Sequence, residues 1–272
     1  MTNSLRLLAV LAHPDDESLG FGGTLAKYAA EGIETYLITA TRGEYGWFGT
    51  QEDYPGETTL GKLREDELRQ ASQLLGIKET IVLDYVDGHL DEAVHDDIIA
   101  CIAQYIRRIQ PDVVITFDPY GGYGHPDHIA ICQFTTAAII QAASSASEDD
   151  FATHQVKKLY YRVDTQAELA IYEKAFGELA MTIDDVKRQA VAWEDWAITT
   201  HIEIASHWDT VWNAIKCHQT QIASIQSLEN VALDGKPIWQ SEGYYRVFSL
   251  VNGGRKTEND LFDGLYTDAS NH

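Results

Sequence analysis

Hydrophobic and polar positions alternate between two rhythms along the first half of the chain. Short, nearly continuous apolar runs lie at residues 5–11, 33–40, 80–83 and 113–117, and each reads as a buried strand. Between them come stretches with apolar residues spaced three and four apart, at 22–31, 60–75, 93–109 and 129–143, which read as helices. The punctuation agrees. Gly32 and Gly76 stand where left-handed caps end helices, and Pro111 stops the third. Strand-helix alternation at this spacing predicts an α/β fold with a parallel, right-handed, doubly wound sheet. Residues 41–59 (TRGEYGWFGTQEDYPGETT) form a glycine-rich, aromatic loop, long enough to be read as functional.

The rhythm weakens after residue 142. Residues 142–150 (AASSASEDD) are small and acidic and read as a surface linker, so the chain divides into 1–145 and 146–272. The second part carries strand patterns at 156–163, 198–204 and 244–251, a helical pattern at 184–194, and an amphipathic helix at 205–225 with His207, Trp208, Trp212, Cys217 and His218. It is expected to form a smaller α/β layer over the sheet edge, completing a site in one compact unit.

Composition narrows the function. The 272 residues include 20 basic and 42 acidic side chains, a net charge of −22, which argues against nucleic acid or an anionic membrane as partner. No apolar run is long enough to span a bilayer. Residues 1–6 lack a basic stretch before an apolar core, so cytoplasm is the expectation. Cys101, Cys132 and Cys217 are odd in number, far apart and set in apolar helical patterns, which reads as buried free thiols.

Candidate chemistry sits at two strand exits, where open α/β sheets bind ligands. After the first strand comes Ala12-His13-Pro14-Asp15-Asp16-Glu17. His13 and Asp16 can face one point, Pro14 stiffens the turn, and Asp15 can aim at an open position. Histidine and carboxylate are good zinc ligands, and a catalytic zinc keeps three protein ligands and one open place. After the fourth strand comes a segment with Tyr123, His125, Pro126, Asp127 and His128. Pro126 suits the first turn of a helix, which puts His125 and His128 three apart at its start as sources of the third ligand.

The motifs AHPDDES and YGHPDH together resemble the LmbE-like/PIG-L family of zinc-dependent N-deacetylases, in particular its mycothiol-pathway branch of inositol-glucosaminide deacetylases and mycothiol conjugate amidases. The likeness is good over residues 5–141 and continues in islands at KLYY (158–161) and HQTQ (218–221). It implies a Rossmann-like sheet with an added C-terminal portion. It also implies zinc on His13, Asp16 and His128, with ferrous iron as an alternative in the cell. By the same resemblance Asp15 is the general base, Tyr123 and His125 stabilise the oxyanion, and Asp127 orients His125. Arg64 and Asp87 match positions that meet sugar and inositol hydroxyls, and Gln221 matches a gating residue. The implied substrate is a small amino-sugar amide such as an N-acetylglucosamine–inositol glycoside; a homo-oligomer is left open.

The chain departs from that pattern in places. Its segments before Arg64 and after Asp87 are short for the inositol-glucosaminide deacetylase, and Gly20 stands where the amidases carry lysine. The competing reading within the family is amidase action on thiol conjugates. A non-catalytic nucleotide- or cofactor-binding module is a third, but Gly20, Gly22 and Gly23 lack G-x-G-x-x-G spacing, and the acidic loop would repel a pyrophosphate.

Overall fold

In the computed structural model, which describes residues 4–144, 151–221 and 240–266, the N-terminal apolar run becomes strand β1 (Arg6–Leu11) at the middle of a seven-stranded sheet. The chain continues through α1 (Asp16–Leu19), α2 (Gly22–Ala30), β2 (Glu34–Thr41), α3 (Glu57–Leu74), β3 (Glu79–Tyr85), α4 (His95–Ile109), β4 (Val113–Phe117), the single turn α5 (Gly121–Gly124) and α6 (Pro126–Ala143). Then follow β5 (Lys158–Val163), α7 (Gln166–Phe176), β6 (Ala180–Ile183), β7 (Val186–Gln189), β8 (Thr200–Glu203), α8 (Trp208–Ile215) and β9 (Ser241–Ser249). The sheet order is β3-β2-β1-β4-β5-β9-β8. The first five strands are parallel, and β9 and β8 add an antiparallel edge.

Strands covered on both faces lose the polar alternation of half-exposed ones. In β1, Leu7, Ala9 and Leu11 point to one face, packing with Leu25 and Tyr28 of α2 and with Val211 and Ile215 of α8. Leu8 and Val10 point to the other, against Ile102 and Ile106 of α4 and Ile131 and Phe134 of α6. All five β1 side chains are fully buried.

The C-terminal segment shares this core rather than sitting beside it. Tyr160, Ile202, Ile204, Tyr244 and Phe262 belong to the same cluster as Leu7 and Leu25. Glu242 of β9 caps α2 by accepting from Gly23 N (2.8 Å) and Thr24 N (3.1 Å). Gly23 leaves room for this: an added Cβ would lie 2.6 Å from Ile204 Cβ and 2.7 Å from Glu242 Oε1. Gly23→Ala is therefore expected to cost about 1–3 kcal/mol by overpacking, read as a lower midpoint in urea with an unchanged slope.

Two expectations are corrected. Residues 184–194 are not helical. Asp184 and Asp185, both at positive φ (49° and 62°), form the two-residue turn between β6 and β7, with Ile183 paired to Val186. Left-handed conformation at both turn residues matches the twist of a hairpin, and Asp tolerates it better than most. The amphipathic helix ends at Ile215 instead of running to 225; residues 218–221 turn back towards α3, and 222–225 lie outside the described residues. Residues 145–150 of the expected linker also lie outside them. Of the three thiols, Cys132 alone is buried, and Cys101 and Cys217 are half-buried.

Candidate metal centre

The exits of β1 and β4 are neighbours because those strands pair in parallel, and this brings residues 115 apart in sequence into contact. In the first loop, Ala12 N and His13 N donate to Asp16 Oδ2 at 3.2 and 2.7 Å. That leaves Asp16 Oδ1 facing His128 Nε2 at 3.3 Å. In the second, Gly121 and Gly122 (φ 63° and 71°) turn the chain, and a Cβ on Gly121 would meet Ile129 N at 2.8 Å. His125 then caps α6, its Nδ1 accepting from Asp127 N at 3.2 Å, with Pro126 in the first turn. His128 follows one turn on, as the spacing predicts.

The imidazole tautomers follow from their partners. His128 Nδ1 faces the Gly121 carbonyl at 3.2 Å, an acceptor only, so Nδ1 carries the proton. His13 Nε2 lies 3.0 Å from Asp127 Oδ2 and 3.1 Å from Asp87 Oδ1, so it too is the protonated nitrogen. In neutral rings the remaining nitrogens, His13 Nδ1 and His128 Nε2, present lone pairs to each other at 3.2 Å, with Asp16 Oδ2 3.7 Å from the first. Lone pairs and a carboxylate converging this way suit a positive charge, a proton or a metal ion. Ligands about 2.0–2.1 Å from a tetrahedral zinc stand roughly 3.3–3.4 Å apart; His128 Nε2 meets that spacing to His13 Nδ1 (3.2 Å) and to Asp16 Oδ1 (3.3 Å), while His13 Nδ1 lies 3.7 Å from the other Asp16 oxygen, Oδ2. Burial disfavours charge on His13, but Asp127, Asp87 and Asp16 overcome it and hold its pKa up at about 10. The same carboxylates that favour a proton on this ring favour a metal.

Other groupings are present. Ligand atoms of His13, His125 and His128 lie within 4.8 Å of one another, as do those of His13, Asp87 and Asp127. In the first, His125 Nδ1 is engaged as the helix cap. In the second, the carboxylates meet the outward nitrogen of His13 and also accept backbone N–H groups: Asp127 from Gly88 (2.7 Å) and Leu90 (3.0 Å), Asp87 from Tyr45 (3.0 Å). They stand behind His13 as carboxylates stand behind metal-bound histidines.

Asp15 is held apart from the ligands. Its backbone is left-handed (φ 106°, ψ −27°), a conformation costing a non-glycine residue about 1–3 kcal/mol. Glu17 Oε2 accepts Asp15 N at 2.9 Å, and Arg64 Nη2 donates to Pro14 O at 2.6 Å and Asp15 Oδ2 at 3.2 Å. Burial raises the Asp15 carboxyl to about 6, with Arg64 pulling it back, in the range a general base needs. Tyr123 stands edge-on to His125 and His128, and its hydroxyl has no hydrogen-bond partner among the described residues. Burial lowers the His125 pKa to about 3, reinforced by His13 and His128, which keeps it neutral.

A cavity of about 290 Å³ opens beside the cluster, touching Asp15, Asp16, Tyr123, His128 and Gln221. Gln221 Nε2 donates to Gly46 O across the long loop (2.9 Å). Three expected roles meet different surroundings. The Asp127 carboxylate bonds His13, not His125, because α6 turns it inward against the β1 exit. Arg64 and Asp87 are buried and absent from the cavity wall: Arg64 ties Pro14 to Gly43 O (2.8 Å), and Asp87 backs His13. Gly43 and Gly46 leave the space Arg64 fills, since a Cβ on either would strike its guanidinium. Arg64→Leu would strip a donor from two buried carbonyls, at about 1–3 kcal/mol each, and release Asp15. A lower melting temperature together with a lower kcat is the expected result.

The sequence points to Glu17 as a support for this turn, but not to its partner. His218 is wholly buried with Nε2 2.8 Å from Glu17 Oε1, so the C-terminal segment braces the β1 loop. Sequence reading also missed α7, whose Tyr172 reaches the cavity, although the signal was present: Thr165 and Glu168 form a capping box.

Two histidines and an aspartate converge at the carboxyl ends of parallel strands, with a second aspartate beside a cavity, an arrangement suited to a metal-dependent hydrolase. Residues 8–139 match the family described as PIG-L, GlcNAc-PI de-N-acetylase. The chain is 34% identical over 295 residues to the 1D-myo-inositol 2-acetamido-2-deoxy-alpha-D-glucopyranoside deacetylase of Rhodococcus jostii (strain RHA1), covering 96% of this chain and 98% of that one. It is 31% identical to the mycothiol S-conjugate amidase of Streptomyces coelicolor (strain ATCC BAA-471 / A3(2) / M145), covering 99% and 100%. The chain belongs to the PIG-L family. The 4-carboxy-2-hydroxymuconate hydratase of Pseudomonas putida KT2440 superposes with a TM-score of 0.67 over 92% of this chain and 99% of that one, at 22% identity. That likeness is one of fold alone, and a hydratase on this fold means that chemistry must be argued from the site.

Proposed function

We propose that the chain hydrolyses the N-acetyl amide of an N-acetylglucosamine-containing small molecule, an inositol-glycoside-like one in the first instance, releasing acetate and a free amine. The observation that carries this reading is the convergence of His13 Nδ1, His128 Nε2 and the Asp16 carboxylate within 3.2–3.7 Å of one another, with Asp15 beside them on the cavity wall. These three residues would hold the metal, zinc by donor type, with ferrous iron suited to the same set. Such an ion lowers the pKa of a water and polarises the amide carbonyl.

The chain's own residues do the rest. Asp15 accepts a proton from the attacking water and returns it to the departing nitrogen, so that the amine leaves neutral. The Tyr123 hydroxyl and the His125 ring give hydrogen-bond donors to the oxyanion as it develops. Asp127 and Asp87 fix the His13 tautomer, while Arg64, Glu17 and His218 keep Asp15 in its left-handed pose. Gln221 and the loop at 41–59 form the mouth.

The sheet order 3-2-1-4-5 supports a Rossmann-like assignment, and the shared core supports a single folding unit in which residues 146–272 complete the site. Among the described residues no helix is long and apolar enough to cross a membrane. The apolar character of the cavity favours a second reading, amidase action on a thiol conjugate. Screening zinc-loaded protein for acetate release from N-acetylglucosamine and its inositol glycoside, and for amine release from a mycothiol-type conjugate, tests both. Turnover confined to the acetyl substrates supports the first, turnover confined to the conjugate supports the second, and none on either contradicts both.

A further inference from the structure

The cavity beside the cluster is walled mainly by carbon. Past Asp15, Asp16, Tyr123 and His128 its lining includes Leu19, Phe21, Phe117, Tyr172, Leu179 and Ala190. The apolar wall begins at the cluster itself. Phe117 lies flat on the His128 imidazole, centroids 3.9 Å apart, and meets Phe21 edge-on at 5.4 Å.

Polar groups deeper in the wall are mostly committed. Arg162 donates to Gly20 O (2.9 Å), Val163 O, Gly243 O (3.3 Å) and Glu168 Oε1 (2.8 Å). Tyr172 donates its hydroxyl proton to Leu19 O at 3.0 Å. Asp164 alone keeps a carboxylate without a side-chain hydrogen bond among the described residues, 3.6 Å from Arg162 Nη1. A ring of hydroxyls pressed past the cluster into this chamber would give up water for few polar groups and many carbons, which is unfavourable. A hydrocarbon group would gain by the same exchange.

We propose that the chamber receives an apolar substituent of the amide substrate, so that the enzyme prefers amino-sugar amides carrying a hydrocarbon acyl or glycosidic group over cyclitol and other polyol glycosides. The inference rests on the amide-hydrolase reading above, keeps its amino-sugar core, and departs from it in the substituent, an apolar group taking the place of the inositol.

Two substrate series distinguish the source of the apolar group. One varies the acyl group of methyl glucosaminide through acetyl, butyryl and hexanoyl. The other varies the glycoside of N-acetylglucosamine through methyl, hexyl, phenyl and inositol. With zinc-loaded full-length protein, kcat/KM is expected to rise about tenfold or more along at least one series, and the inositol glycoside to fall below the apolar members. Leu179→Asp, which puts charge in the wall, and Ala190→Phe, which fills the space, should flatten that rise while leaving the methyl N-acetyl parent near its wild-type rate.

Calorimetry with hexyl glucosaminide and with hexanoate, neither of which has an amide to cleave, gives a readout independent of turnover. One of them should bind about tenfold more tightly than its methyl glucosaminide or acetate counterpart, and lose that advantage in Leu179→Asp. Absent turnover on every compound, with this binding preference intact, would remove the hydrolase reading and leave the chamber assignment standing. Flat rates and equal binding in both series, or an inositol glycoside that outperforms every apolar compound, would overturn it.

Discussion

Asp15→Asn is expected to lower kcat by about 10²–10⁴-fold, the usual contribution of a positioned general acid–base, while the protein keeps its metal. Asparagine preserves the shape of the side chain and can still accept from Arg64 Nη2, which lies 3.2 Å from Asp15 Oδ2. What it lacks is a carboxylate able to take the proton. The residue takes no part in the contacts among His13, Asp16 and His128, so metal stoichiometry should not move. A group that acts only in the transition state lowers kcat and kcat/KM together, and that joint fall in steady-state kinetics is the signature to look for. A variant that turns over at close to the wild-type rate would transfer the base role elsewhere.

His128→Ala attacks the other half of the site. On the proposed assignment it removes one of three ligands and leaves His13 Nδ1 and Asp16 without their shared neighbour. Metal content measured by mass spectrometry is expected to fall well below that of the wild type. Activity should drop about 10³-fold or more, as the several kcal/mol of charge stabilisation that a bound metal supplies is lost. The fold should survive, because His128 sits at the first turn of α6 while the helix is held by Ile131, Phe134 and Ala138 in the core. Circular dichroism should therefore be close to wild type. A variant with full metal content would instead favour the neighbouring His125 as the ligand.

The two site loops were legible in the sequence because local rules govern them. A continuous apolar run followed by Ala12-His13-Pro14-Asp15-Asp16 marks a strand exit, and Pro126 after His125 marks a helix start; both read correctly without any knowledge of tertiary structure. The partners of each carboxylate were not legible. Asp127 is two residues from His125 in sequence, yet its carboxylate serves His13, 114 residues away, because parallel pairing of β1 and β4 sets those exits side by side. Arg64 was given a substrate role by the resemblance alone; only the closeness of Gly43 and Pro14 shows that its guanidinium is buried as a clamp. The second half was read less well for a different reason. The missed strands β6 and β7 have only four residues each, and their hairpin at Asp184-Asp185 carries no glycine, so the usual turn signal was missing.

Stripping the protein with a chelator and returning zinc in fractions of an equivalent, while following acetate release from an N-acetylglucosamine glycoside, tests whether His13, Asp16 and His128 hold a catalytic metal served by Asp15. Turnover should vanish on stripping, return in proportion to added zinc and level off at about one ion per chain, with Asp15→Asn binding the same equivalent and regaining almost nothing. Stripped protein that still released acetate at the native rate would contradict the assignment.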